Sequence, residues 1–298
     1  MAWDIALPDG YRLHDVLAFH QRDAENVAEH VTPQRLRKAV VLAGTPVLLD
    51  VAFEGAVARC SALADGEPTD AVDSAIRGAL RNVLGLRIDP QPFTDMVAGD
   101  PVMGPLAKRQ PGLRIVQSAT VFEALTWAVI GQQINLAFAI ALRRTLIQLA
   151  GPRHSGGLWC YPDAAGVARL SVDDLTSRKF SRAKAETLLR LSALVADGAL
   201  DLEPGPANTI ADISEALLAV KGIGPWTVNY GLLRGYGYED CSLHGDVAIR
   251  TALQPLLGGD ERPDIAATER FLQRYAPHRT MAAAHLWASL HPRGDGNG

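Results

Sequence analysis

The segment Lys221-Gly-Ile-Gly-Pro225 constrains the fold more than any other part of the chain. A helical pattern runs into it over residues 213–220 and another leaves it over residues 225–235. Gly222 and Gly224 can take backbone angles closed to other residues. Pro225 suits the first turn of a helix, where a missing N–H costs nothing. The chain therefore doubles back between two helices within a few residues. Amides freed at such a turn stand at a helix N-terminus, a natural seat for a phosphate. The same residues would also serve a plain helix–helix turn.

On either side the sequence changes character. Residues 40–53 are β-branched and apolar around Gly44-Thr-Pro46, which predicts two strands about a turn, and residues 25–31 allow another. Val72, Ile76, Leu80 and Leu84 form the stripe of an amphipathic helix that ends at Gly85. From about residue 94 onward strand patterns stop. A long helical pattern over 119–148 breaks near Gly131-Gln-Gln-Ile-Asn135, where Asn135 can cap a second helix. Ser171 and Asp174 have capping-box spacing, and helices are predicted over 181–196, 246–256, 269–275 and 285–290. The tail Arg293–Gly298 reads as disordered.

Composition removes several function classes. The chain has 298 residues, 48% of them hydrophobic and 21% charged, as in a well-cored globular protein. No apolar run approaches the ~20 residues of a membrane span, and the first residues lack the pattern of a signal peptide. Cys60, Cys160 and Cys241 stand far apart, which argues against a disulfide framework or a thiolate metal cluster. A cytoplasmic protein is expected. The net charge of −4 argues against coating nucleic acid by bulk electrostatics. An anchor made of backbone amides needs no such surface.

The wider motif is more specific than the hairpin alone. Gly222-Ile-Gly-Pro-Trp-Thr-Val-Asn-Tyr230, then Leu233-Arg-Gly235, then Asp246 at the start of a helix, resembles the helix-hairpin-helix DNA glycosylase superfamily. Within it, the chain is similar to the bacterial 3-methyladenine DNA glycosylase II (AlkA-type) family. Arg109–Arg114, Phe122-Glu123, Ile130–Gln133 and His285-Leu-Trp287 extend the resemblance over residues ~98–290, while the N-terminal segment matches loosely. It implies an α+β N-terminal domain at 1–97, two-layered like the TATA-binding protein. An all-α glycosylase fold in two helical lobes follows, one of residues 121–238 and one of 98–120 plus 239–298. The lesion pocket is expected in the cleft between the lobes.

The resemblance also implies a chemistry: an alkylated purine is flipped from duplex DNA and its N-glycosidic bond hydrolysed, as a step of base-excision repair. Asp246 would be the catalytic carboxylate, a role compatible with capping its helix. Trp226 stands where bifunctional relatives carry a Schiff-base lysine, so the enzyme would be monofunctional and leave an abasic site. Trp226, Trp287, Tyr230 and Phe19 would form the base pocket, although each alone reads more readily as core; Trp127 is left as core or groove lining. Gln133, with Gln132, would be the wedge filling the gap in the duplex, or else an exposed loop. Gly222, Gly224, Lys221 and Thr227 would hold the DNA backbone. Arg178, Lys179, Arg182 and Lys184 form a basic run that faces either phosphates or solvent. One departure is Val247, where some relatives have tyrosine.

The expected partner is double-stranded DNA containing alkylated bases, bound by a monomer. No cofactor is expected: the four cysteines of an iron–sulfur cluster are missing, although a monovalent cation at the hairpin is compatible with the family. Two other functions share the scaffold. One is a glycosylase for oxidised or deaminated purines, which Trp226 argues against. The other is a non-catalytic damage-binding module, which would have no need of Asp246.

Overall fold

The structure is a computed structural model that describes residues 2–67 and 69–290. The tail 293–298, expected to be disordered, lies outside the described residues. The N-terminal part is built from β1 (Ala2–Ala6), α1 (Leu13–His20), β2 (Glu29–Thr32), β3 (Arg35–Leu42), β4 (Thr45–Glu54), β5 (Val57–Ala64) and α2 (Asp70–Val83). Its strands form one antiparallel sheet in the order β1-β5-β4-β3-β2. The predicted strand pair is β3 and β4, but the turn falls on Ala43-Gly44, with φ of 47° and 76°, and Thr45-Pro46 already belong to β4. Two positive-φ residues give the backbone twist that a two-residue hairpin needs. The strand expected over 25–31 begins only at Glu29.

The α2 stripe of Val72, Ile76, Leu80 and Leu84 is buried against the sheet. Each such side chain contributes about 1.5–3 kcal/mol relative to exposure. Thr69 caps the helix by accepting from the Val72 amide.

The rest is helical: α3 (Gln91–Met96), α4 (Met103–Arg109), α5 (Val121–Gly131), α6 (Leu136–Ala150), α7 (Ala164–Ala168), α8 (Val172–Thr176), α9 (Arg182–Ala196), α10 (Ile210–Leu218) and α11 (Pro225–Gly231). A π-helical turn, Leu232–Tyr236, then precedes α12 (Val247–Leu256), α13 (Ile265–Gln273) and α14 (Arg279–Ser289). Asn135 caps α6 through the Phe138 amide, and Ser171 and Asp174 make the expected capping box. One stretch of this part joins the sheet. Because β2 is short, the C-terminal half of β3 would be an open edge, and Tyr161 closes it by bonding to Ala39 and Val41.

Charge, as well as apolar packing, ties the two parts together. Lys38 of β3, 1% exposed, donates to Glu29 of β2 at 2.5 Å and to Glu123 of α5 at 2.7 Å. Arg143 of α6 reaches the same carboxylates at 2.5 and 2.9 Å. Burial alone would raise both carboxyls, but Arg143 and Lys38 outweigh it and hold them below the usual carboxylate range. This four-charge cluster fixes α5 and α6 on either side of the Gly131–Asn135 turn. Among the described residues no helix is long and apolar enough to cross a membrane.

Candidate active site

The hairpin is built as a tight return between α10 and α11. Gly222 has φ of 98°, and a Cβ there would lie 2.0 Å from the Thr187 hydroxyl oxygen, so only glycine fits. Gly224 differs from the expectation. Its φ of −111° is open to any residue, nothing lies within 4 Å of an added Cβ, and it serves as the N-cap of α11. What glycine contributes at 224 is an uncovered approach to the first amides of the helix, not an unusual backbone angle.

Asn229, one turn into α11, connects this helix to the loop that carries Asp246. Its side-chain oxygen accepts from the Ser242 amide at 3.1 Å, and its nitrogen donates to the Pro225 carbonyl at 2.9 Å. Asp246 then caps α12, Oδ1 accepting from the Ile249 amide at 3.0 Å. Two indoles complete the setting. Trp226 Nε1 donates to Oδ2 at 2.8 Å and Trp287 Nε1 donates to Oδ1 at 3.2 Å. Three N–H donors from three helices thus hold the carboxylate in one orientation, and Oδ2, with a single donor, keeps lone-pair capacity for a further partner. Val247, 57% exposed, leaves the side beside it open.

The rings of Trp226 and Tyr230 lie 5.2 Å apart between centroids, and those of Tyr230 and Trp287 6.5 Å apart. Trp127, left undecided by the sequence, donates from Nε1 to the Tyr230 hydroxyl at 3.0 Å. Phe19 reaches the group through arginines that the sequence did not single out as site residues. The Arg234 guanidinium is 4.9 Å from the Phe19 centroid and 5.6 Å from that of Trp287, and Arg22 lies 4.1 Å over Phe19. Both guanidiniums stand beside Tyr230. Arg234 sits in the π-helical turn, held by donation from Nη1 to the Val116 carbonyl at 2.6 Å. The Leu233-Arg-Gly235 motif marked this arginine; no local pattern marked Arg22.

The turn between α5 and α6 separates its two glutamines. Gln133 is exposed, has φ of 56°, and makes no side-chain hydrogen bond among the described residues. Gln132 is not free to act as a wedge: its amide donates to the Gly222 carbonyl at 3.1 Å and the Thr227 hydroxyl at 2.9 Å, fastening the turn to the hairpin. Thr227 is therefore turned inward, 2% exposed, and only its backbone amide is left for a phosphate. Lys221 is exposed, and its carbonyl accepts from Arg190 at 2.9 Å. In the basic run, half-buried Lys184 turns back onto the turn after α5. It donates to the Gln132 and Val129 carbonyls at the end of α5, at 2.5 and 3.2 Å, and burial lowers its pKa.

Comparison with known proteins agrees with this geometry. Residues 126–278 match the HhH-GPD superfamily of base excision DNA repair proteins, and residues 5–119 match the AlkA N-terminal domain. The DNA-3-methyladenine glycosylase of Bacillus subtilis is 30% identical over 206 residues, 68% of each chain. The DNA-3-methyladenine glycosylase 2 of Escherichia coli is 28% identical over 190 residues, 62% of this chain and 63% of that one. The fold matches that of a 3-methyladenine DNA-glycosylase from Archaeoglobus fulgidus with a TM-score of 0.78 over 96% of this chain and 97% of that one, at 22% identity. The chain belongs to the HhH-GPD superfamily of base excision DNA repair proteins, in its branch of DNA-3-methyladenine glycosylases with an AlkA N-terminal domain.

Proposed function

We propose that this protein hydrolyses the N-glycosidic bond of alkylated purines of the 3-methyladenine and 7-methylguanine class in duplex DNA, as a monofunctional enzyme that leaves the strand intact. The observation that carries the reading is the Asp246 carboxylate, held by the two indole N–H groups beside the rings of Trp226, Tyr230 and Trp287. A purine alkylated at N3 or N7 is cationic and already a good leaving group. As its bond to C1′ breaks, the electron pair departs with the ring and positive charge grows on the sugar. A fixed carboxylate stabilises that charge and orients water for attack at C1′. The aromatic faces favour the cationic base that enters.

Trp226 has no nucleophilic atom with which to form a Schiff base. The exposed Gln133 fills the stack left by the flipped nucleotide, and the amides at the start of α11 take a backbone phosphate. The protein acts as a monomer, and the reaction needs no cofactor.

Incubation with methylated duplex in the presence of borohydride tests the monofunctional assignment. Free base and no covalent complex are expected, and a parallel sample without borohydride should give a strand that breaks only after alkali. A borohydride-trapped protein–DNA adduct would overturn it.

A further inference from the structure

Beyond the wall formed by Phe19 and Trp287 lies a cleft of about 900 Å3, bounded by α1, the segment 109–116 and α14. Five guanidiniums line it, those of Arg12, Arg22, Arg109, Arg114 and Arg234, against one carboxylate, Asp15. Asp15 is already paired with Arg12 at 2.5 Å. None of the other four arginines makes an ion pair among the described residues, and Arg234 Nε is buried there without a hydrogen-bond partner. In a chain of net charge −4 this is a local concentration of positive charge that the lining carboxylate does not balance.

The concentration also runs against the simplest substrates. A base carrying only a methyl group is a cation, drawn in by the rings and Asp246 but opposed by the guanidinium between Phe19 and Trp287. A short arm that ends in a carboxylate reverses that opposition. The ring keeps its positive charge and its attraction to the aromatic faces, while the carboxylate meets the planar fork of a guanidinium. Arg234 is near enough to both rings that an arm of two atoms from a base held there would reach it, and Arg22 stands over the same Phe19.

We propose that this cleft is an anion-accepting extension of the lesion pocket, and that the enzyme takes purines whose N-alkyl arm ends in a carboxylate, carboxymethylated adenine and guanine being the smallest. The proposal rests on the glycosylase reading above. The chemistry is unchanged: water adds its oxygen to C1′, the pair of the broken bond neutralises the cationic ring, the proton passes to solvent, and the arm leaves with the base.

The test compares two duplexes, one carboxymethylated with diazoacetate and one methylated with dimethyl sulfate. Each is given to the wild-type protein and to the Arg22→Gln, Arg22→Lys and Arg109→Gln variants. The readout is the ratio of kcat/KM for carboxymethylpurine release to that for methylpurine release, which is insensitive to the fraction of protein folded. The wild-type ratio is expected to exceed one. Arg22→Gln should lower it by about tenfold, with part of the loss restored in Arg22→Lys and a smaller fall in Arg109→Gln. A wild-type ratio at or below one, with methylpurines still released, overturns the proposal and leaves the glycosylase reading standing. Equal losses on both substrates with weaker, less salt-dependent binding of abasic duplex would assign the arginines to DNA phosphates, and also overturn it. Release of neither base would sink the glycosylase reading itself.

Discussion

Trp226 acts on the Asp246 carboxylate with its N–H while its ring faces Tyr230, and the two contributions can be separated. Trp226→Phe keeps an aromatic face and removes the 2.8 Å bond to Oδ2. A hydrogen bond to a charged group is worth about 1.5–3 kcal/mol, so kcat for 7-methylguanine release should fall by roughly tenfold or more with KM little changed, as steady-state kinetics would show. A fall in affinity with kcat preserved would mean that the indole serves the base alone. At this scale the sequence was legible where a motif named the residue: Asp246, Trp226, Tyr230 and Trp287 all meet in one place. It did not show that two indoles, 20 and 41 positions from Asp246, turn their N–H groups onto the same carboxylate. The motif marked Gln133 as the inserted side chain but did not show that Gln132 is fastened to the hairpin, because that bond crosses 90 residues of sequence.

Elements defined by local bonds were the most readable. Asn135, Ser171 and Ser181 announced the starts of α6, α8 and α9 because a cap is made by a side chain with an amide three residues away. The π-helical turn, read as continuous helix, depends on Arg234 reaching the Val116 carbonyl. Strands β1 and β5 and helix α1 were missed: β1 and β5 pair with each other across some 55 residues, a contact that no local pattern records. The two hairpin glycines make opposite predictions. Gly222→Ala forces a left-handed backbone and a Cβ against Thr187, and should cost about 1–3 kcal/mol in urea unfolding together with weaker binding of abasic duplex. Gly224→Ala has room and an ordinary φ, so its stability should match wild type, and any loss should appear in DNA affinity alone. Equal destabilisation by both would contradict this account of the turn.

Across the whole molecule, the buried charges record how the sheet and the helices are joined. Lys38→Met leaves Glu29 and Glu123 buried with Arg143 as their remaining cation, and should destabilise the protein by about 3–5 kcal/mol in urea denaturation. A loss below 1 kcal/mol would show that the cluster does not hold the two parts together. His20 and His285 are both buried, and burial takes each from its ordinary 6.5 down to about 4. The unfolded chain binds a proton at each near pH 6.5, but the folded chain does so only near pH 4. Stability is therefore lost as pH falls through that window, by up to about 3 kcal/mol per histidine. Unfolding free energies between pH 7.5 and 4.5 should show that slope, reduced in His20→Gln. No local pattern signals this joint or the arginine-lined cleft beside it, because both arise only when the N-terminal part docks on the helices. The central claim rests on one carboxylate, and base release from methylated duplex, followed by chromatography without alkali, tests it most directly. Wild-type protein should free 3-methyladenine and 7-methylguanine from an intact strand, and Asp246→Asn should do so at least about a hundredfold more slowly while still binding abasic duplex. Release at the wild-type rate by Asp246→Asn, or no release by wild type alongside tight binding of abasic duplex, would contradict the account.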